Sequence, residues 1–247
     1  MMRLILVAVF LAAGCSSSSD SQKTSMTVFA AASLTDALNE LVMLFELQHP
    51  EITVYTHVGP TSLLARQIQQ GAPADVFMAA SPDWIDYLRE HSLTSGPEIT
   101  FAGNTLVVIG SHAADPINSL SELINVRRLA MADPSHVPAG VYGKQALQCA
   151  GIWDVVEPAV IPTLDVRVAL TAVSSGAAEL AVVYHSDAAL VKGLKPMLQL
   201  PHSCTPNIRY VATTLSKAAN PEAATAFVAF VGDSTQLALW ARFGFNS

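Results

Sequence analysis

The chain has 247 residues, a formal charge of −7 at pH 7, and 51% hydrophobic residues. That length suits one large domain or two small lobes, each able to bury its own core. The net acidity argues against a nucleic-acid partner, which needs a basic face, and against general electrostatic capture of an anion, so any anion must be held by local dipoles.

Residues 1–25 read as a processing segment and tether. Arg3 supplies a short positive region, and residues 4–13 form an apolar stretch too short to span a bilayer as a helix. Leu11-Ala12-Ala13-Gly14-Cys15 is similar to a bacterial lipoprotein cleavage box, in which the cysteine becomes the lipidated first residue. It departs from that box at Ala12, where Leu is usual, with Leu11 one place early. An ordinary secretory leader cut near Gly14 is the alternative. The polar run Ser16-Ser17-Ser18-Ser19-Asp20-Ser21 favours lipidation at Cys15, because it suits a flexible tether. On either reading the protein is exported.

From Met26 onward, strand-like runs alternate with amphipathic helical runs, which predicts an α/β fold with mainly parallel sheets. Residues 27–30 read as a strand and 34–48 as a helix whose apolar face is Leu34, Leu38, Leu41, Phe45 and Leu47, stopped by Pro50. A strand at 52–57 and a helix at 62–70 closed by Gly71 follow. Next come a strand at 75–78 and a helix at 82–90 with Ser81 as its N-cap. The apolar strand 105–109 is taken as a crossing into a second lobe. That lobe holds helices near 120–124, 139–150 and 166–174, and strands near 128–131, 157–162 and 180–184. Residues 208–214 read as a return strand, with closing helices at 221–231 and 235–243. The expected lobes are therefore 26–103 plus 211–247, and 104–210, joined by a hinge of two crossings with a cleft between them.

Export permits disulfides. With Cys15 lipidated, Cys149 and Cys204 remain as an even pair, for which a bridge and two separate, partly buried thiols are both open. There is no C-x-x-C, and the seven histidines never fall into a metal spacing such as H-E-x-x-H.

Segments 28–33, 59–62, 137–140 and 164–167 each bring small or hydroxyl residues to a predicted helix start. A helix N-terminus offers unpaired backbone N–H groups and a favourable dipole, so it suits an anion. Four such ends aimed at one cleft would hold a compact oxyanion by hydrogen bonds alone. Taken singly, each site residue has a plainer reading. Ser33 with Asp36 resembles a capping box, and Thr61 and Asp165 are ordinary caps. Pro138 is routine at a helix start, and a strand-ending Tyr184 is packing.

Three motifs stand in the first half of the chain: Thr-Val-Phe-Ala-Ala-Ala-Ser-Leu-Thr at 27–35, Leu-Ala-Arg-Gln-Ile at 64–68, and Gly-Ala-Pro-Ala-Asp-Val-Phe at 71–77. Asp-Pro-Ser-His-Val-Pro-Ala-Gly at 133–140, Asp-Val-Arg at 165–167 and Val-Val-Tyr-His-Ser-Asp at 182–187 follow in order. In these motifs the sequence resembles the molybdate-binding proteins of bacterial ABC uptake transporters. The resemblance implies a two-lobed type II periplasmic-binding-protein fold that clasps a tetrahedral molybdate or tungstate dianion between its lobes. Its implied ligands are Ser33 and Thr61 through hydroxyls and amides, Ala139 and Val166 through backbone N–H, and Tyr184 through its phenol. Thr61 departs from the family's usual Ser; the hydroxyl survives, with an extra methyl group against the anion.

A fully deprotonated oxyanion accepts hydrogen bonds and donates none, so a set of donors suits it and the absence of a carboxylate among the five disfavours protonated phosphate. The implied partners are the small oxyanion, the permease and its ATPase. The expectation is a monomer that touches the membrane only through a lipid anchor, binds no nucleic acid, and needs no cofactor or free metal ion. Arg167 is expected to pair with an acid or face water, Lys144 to be a solvated helix residue, and Asp75, Asp83 and Asp133 to cap turns or strand ends. Two other readings are carried: the same fold binding sulfate, thiosulfate or a small organic anion, and an exported hydrolase. The hydrolase lacks G-x-S-x-G, S-x-x-K and any metal triad.

Overall fold

The computed structural model describes residues 23–111, 114–191 and 193–246; the leader and Cys15 lie outside them. The chain opens with β1 (Thr24–Ala31), α1 (Thr35–Gln48), β2 (Ile52–Gly59), α2 (Thr61–Gln69), β3 (Val76–Ala79), α3 (Asp83–Glu90) and β4 (Ile99–Asn104). It continues through β5 (Leu106–Ser111), β6 (Leu129–Ala132), α4 (Pro138–Cys149), α5 (Trp153–Val156), β7 (Val160–Thr163), α6 (Val166–Ser174), β8 (Leu180–Tyr184), α7 (His185–Ala188) and β9 (Leu194–Gln199). It ends with β10 (Ile208–Thr214), α8 (Pro221–Val231) and α9 (Leu237–Arg242).

These strands form two five-stranded sheets, ordered β2-β1-β3-β10-β4 and β7-β6-β8-β5-β9. Strands β2, β1 and β3 run parallel, as do β7, β6 and β8. The antiparallel partners are β10 against β3 and β4, and β5 against β8 and β9. The parallel expectation therefore holds for three strands of each sheet. The strands that enter a sheet from the other one, β5 and β10, run the opposite way.

Burial explains the layering. In β1, Val28 and Ala30 join the core under α1 and α8, while Phe29 points the other way to Phe77, Leu64 and Val211. A strand covered on both faces reads as continuous apolar sequence, which Val28-Phe29-Ala30-Ala31 is. On α1 the buried stripe is Ala37, Leu38, Leu41, Val42 and Phe45. Leu47, counted with that face in the sequence, is 77% exposed, because two residues past Phe45 is about half a turn round the helix. Phe45 meets the Phe227 ring of α8 edge-on at 5.0 Å.

Several expectations need correction. The strand placed at 157–162 is Val160–Thr163; Glu157–Ala159 is a 3-10 turn holding Pro158, which has no N–H for a ladder. The closing helix at 235–243 begins with a 3-10 turn, Ser234–Gln236. Strands β4 and β9 were not foreseen: β4 ends in Gly103-Asn104, a turn pair in isolation, and β9 carries Lys195 and Pro196 on a sheet edge with an irregular register. Strand β4 passes into β5 across the single residue Thr105, and the chain returns through residues 200–207 to β10. In that return loop Cys204 is bonded to Cys149 of α4, which settles the question left open by sequence.

Candidate functional site

In parallel α/β layers the carboxyl ends of strands and the amino ends of the following helices lie along one edge. Here β1 and β2 lead into the starts of a 3-10 turn (Ala32–Leu34) and α2, and β6 and β7 lead into α4 and α6. These four starts, two from each sheet, border one cavity with about 230 Å³ of empty space. Four other clefts among the described residues are wider, with about 670 to 970 Å³ of space that is open to solvent. Ser33, Thr61, Ala139, Val166 and Tyr184 all line the smaller cavity, and each is at least 97% buried.

The helix starts keep their N–H groups uncommitted. The 3-10 turn, α2 and α4 have no side-chain cap. On α6 the Asp165 carboxylate accepts from the N–H of Arg167 and Val168, both at 2.9 Å, which leaves the Val166 N–H outside the cap. Asp165 is thus the ordinary cap read from sequence, while Thr61 is the first residue of α2 rather than its cap. Helix α4 approaches closely because residue 140 is glycine: a Cβ there would fall 2.0 Å from the Ala132 carbonyl oxygen.

The hydroxyls are poised as donors. Thr61 Oγ1 accepts from the Ala80 N–H at 3.3 Å, so its own proton is free. The Tyr184 hydroxyl is buried with no partner among the described residues. Burial drives its pKa well above the usual phenol value, so it stays protonated at neutral pH. Ser33 Oγ lies 2.8 Å from the hydroxyl of Tyr210, a fully buried residue of β10 that the sequence reading did not single out. Nothing local in an apolar strand distinguishes Tyr210; only the sheet pairing brings it to Ser33.

No Lys or Arg is among the lining residues. Arg167 sits beside the cavity and does pair with acids, two of them: its Nη2 is 2.7 Å from Asp36 Oδ2 on α1, and its Nε 2.5 Å from Asp187 Oδ1 on α7. The same Nη2 donates to the Ser33 carbonyl at 3.4 Å. Burial raises the Asp187 carboxyl to about 6, with Arg167 pulling against that rise. A second contact between the two halves comes from Tyr142 of α4, whose hydroxyl donates to the carbonyl of Ala80, just past β3, at 3.4 Å.

The remaining polar residues are structural. Asp75 accepts from Thr27 N–H and Ala219 N–H, both at 2.6 Å, and Asp133 accepts from Ser135 N–H. Ser81 Oγ accepts from the Asp83 N–H at 3.4 Å, but α3 begins at Asp83 with Pro82 at its cap position, so Ser81 stands one residue ahead of the cap expected of it. Lys144 lies over the Trp153 ring at 5.0 Å instead of being simply solvated. Among the described residues no group of three or more His, Cys, Asp or Glu is placed to hold a metal ion, and no helix is long and apolar enough to cross a membrane.

A profile of the bacterial extracellular solute-binding protein family matches residues 26–246. The molybdate-binding protein ModA of Escherichia coli strain K12 is 36% identical over 229 residues, covering 90% of this chain and 88% of that protein. A putative ABC transporter substrate-binding lipoprotein of Bacillus subtilis strain 168, YvgL, is 32% identical over 248 residues, covering 98% and 95%. In three dimensions the fold matches the periplasmic molybdate-binding protein of Azotobacter vinelandii with a TM-score of 0.80 and 22% identity, over 90% of this chain and 99% of that one.

Proposed function

The chain belongs to the bacterial extracellular solute-binding protein family, and from that premise we propose that it captures molybdate or tungstate outside the cytoplasm and delivers the ion to an ABC permease driven by an ATPase. The family is one of transport receptors, which leaves the hydrolase reading without support. The observation that carries the proposal is the convergence of Ser33, Thr61, Ala139, Val166 and Tyr184 on one small cavity that offers donors.

The chemistry follows from that donor set. At neutral pH the dianion carries no proton, so every contact it makes must be accepted. Ser33 and Thr61 give hydroxyls, Ala139 and Val166 backbone N–H groups, and Tyr184 its phenol. Hydrogen bonds to a charged group contribute about 1.5–3 kcal/mol each, so each donor is worth roughly tenfold to a hundredfold in affinity. Sulfate has the same charge and shape but is smaller and reaches fewer donors at once. Ser33 and Thr61 belong to the lobe of residues 26–103 and 211–247, the other three to the lobe of 104–210. The ion is therefore held fully only when the two lobes meet, and the closed form is what the permease recognises.

Export and lipid attachment at Cys15 complete the reading, supported by the leader pattern and by the similarity to a Bacillus lipoprotein. The protein acts as a monomer in this scheme. A thermal-shift series with molybdate, tungstate, sulfate and phosphate tests the function, because a ligand that binds only the folded form raises its melting temperature. Molybdate and tungstate are expected to raise it strongly and phosphate not at all. An equal rise with sulfate would make this a sulfate receptor. Ser33→Ala is expected to weaken molybdate binding roughly tenfold to a hundredfold without unfolding the protein.

A further inference from the structure

Asn104, Tyr210 and Ser33 form a hydrogen-bonded chain that runs from the crossing between the sheets to the cavity. Asn104 ends β4, one residue before the crossing, and Tyr210 lies on β10, the strand that returns. The Asn104 amide is oriented by its surroundings: its Oδ1 accepts from the Thr105 N–H at 2.9 Å and the Ser186 N–H at 3.5 Å. Its Nδ2 therefore faces the other way, donating to Ser186 Oγ at 2.8 Å and, by a longer contact of 3.5 Å, to the Tyr210 hydroxyl oxygen. All of Asn104, Ser186 and Tyr210 are buried, so water does not compete for these bonds.

The direction of the chain then follows from proton counting. An amide nitrogen only donates, so the Tyr210 oxygen accepts on that side. Tyr210 has one proton, burial holds it in place by raising the phenol's pKa well above its usual value, and the proton goes to Ser33 Oγ 2.8 Å away. Because Ser33 Oγ is the acceptor in that bond, its hydroxyl keeps its own proton to give to the cavity.

We infer that Tyr210 and Asn104 are positioning residues for anion binding, fixing Ser33 as a donor by a hydrogen-bond chain rooted at the crossing between the two sheets. The inference rests on the proposed role of Ser33 and adds residues that do not touch the ion. It also gives the crossing a direct bearing on affinity, since the Asn104 amide donates both to Tyr210 of the first sheet's β10 and to Ser186 of α7.

The test is a double-mutant cycle on molybdate affinity, measured by calorimetry, with Ser33→Ala, Tyr210→Phe and the pair. Tyr210→Phe keeps the ring packed against Tyr184 and Phe245. It is expected to weaken binding by about threefold to tenfold in the wild type and to have no further effect in the Ser33→Ala background. An equal loss in both backgrounds, or no loss in the first, overturns the inference while leaving the binding site intact. Unweakened binding by Ser33→Ala overturns the site reading itself. A second variant, Asn104→Asp, replaces the donor by an acceptor, so it draws the Tyr210 proton away and turns the Ser33 proton inward. Its loss is expected to exceed that of Tyr210→Phe, and the excess to vanish when the two are combined. A mere charge effect on the ion would persist in the combination and would count against the chain.

Discussion

Arg167, one residue into α6, reaches Asp36 on α1 with 2.7 Å between nitrogen and oxygen, and so ties the helices of one sheet to those of the other beside the cavity. Its second partner, Asp187, belongs to its own half and is fully buried. The two bonds have different consequences. Asp187 needs Arg167 to offset a buried charge, whereas Asp36 is 43% exposed on its side chain and holds the halves together. Asp36→Asn is therefore expected to leave folding intact and to lower molybdate affinity about twofold to fivefold, the range for a partly exposed ion pair. The change should appear as faster release of the ion in stopped-flow measurements, with capture nearly unaltered.

Tyr184→Phe separates stability from binding. The phenol is buried with no partner among the described residues, which carries a desolvation cost. Removing it is expected to leave the ion-free protein equally stable or more stable by about 1 kcal/mol. Molybdate affinity should fall roughly tenfold to a hundredfold. Melting curves and calorimetry on the same sample check both signs together.

Asp187 gives folding a pH dependence. Burial raises its carboxyl from the ordinary value to about 6 in the folded protein, against the pull of Arg167. Between about pH 4 and pH 6 the folded form keeps a proton that the unfolded chain has released. Its contribution to stability is thus full below about pH 4, declines as pH rises to about 6, and is level above. Asp187→Asn is expected to remove that decline, on the order of 3 kcal/mol. Denaturant titrations across this range should show a flatter stability profile for the variant than for the wild type.

The Cys149–Cys204 disulfide closes a 55-residue separation and anchors the return loop to α4. Replacing both cysteines by serine is expected to cost about 2–4 kcal/mol of stability. Neither cysteine lines the cavity, so molybdate affinity should stay within about twofold of the wild type. Melting under reducing conditions provides the same comparison without mutagenesis.

The parts of this fold that were legible in sequence are those whose cause is local. The buried stripe of α1 from Ala37 to Phe45 announces itself by helical spacing, and the apolar runs at β1 and β8 by their continuity. The helix starts at Thr61, Pro138 and Val166 were visible because small residues and Pro break one element and open the next. What stayed hidden depends on distant partners. Strand β9 owes its place to β5, and β4 to β10, and neither has a pattern that says so alone. Tyr210 and Asn104 are separated from Ser33 by 177 and 71 positions, and no spacing rule joins them. Sequence leaves Arg167 either pairing with an acid or facing water, and its reach to two acids depends on where the helices lie.

A cavity with no Lys or Arg in its lining, inside a protein of net charge −7, has an environmental consequence. Ion pairs at a surface weaken as dissolved electrolyte screens them, whereas short hydrogen bonds in a closed space do not. Capture of a dianion here gains nothing from long-range attraction, so brine removes nothing from the bonds inside the cavity; screening even eases the approach of one negative body to another. A receptor working outside the cell has no control over the salinity around it, and here the only part of the described grip that salt can loosen is the Arg167–Asp36 tie, worth about twofold to fivefold.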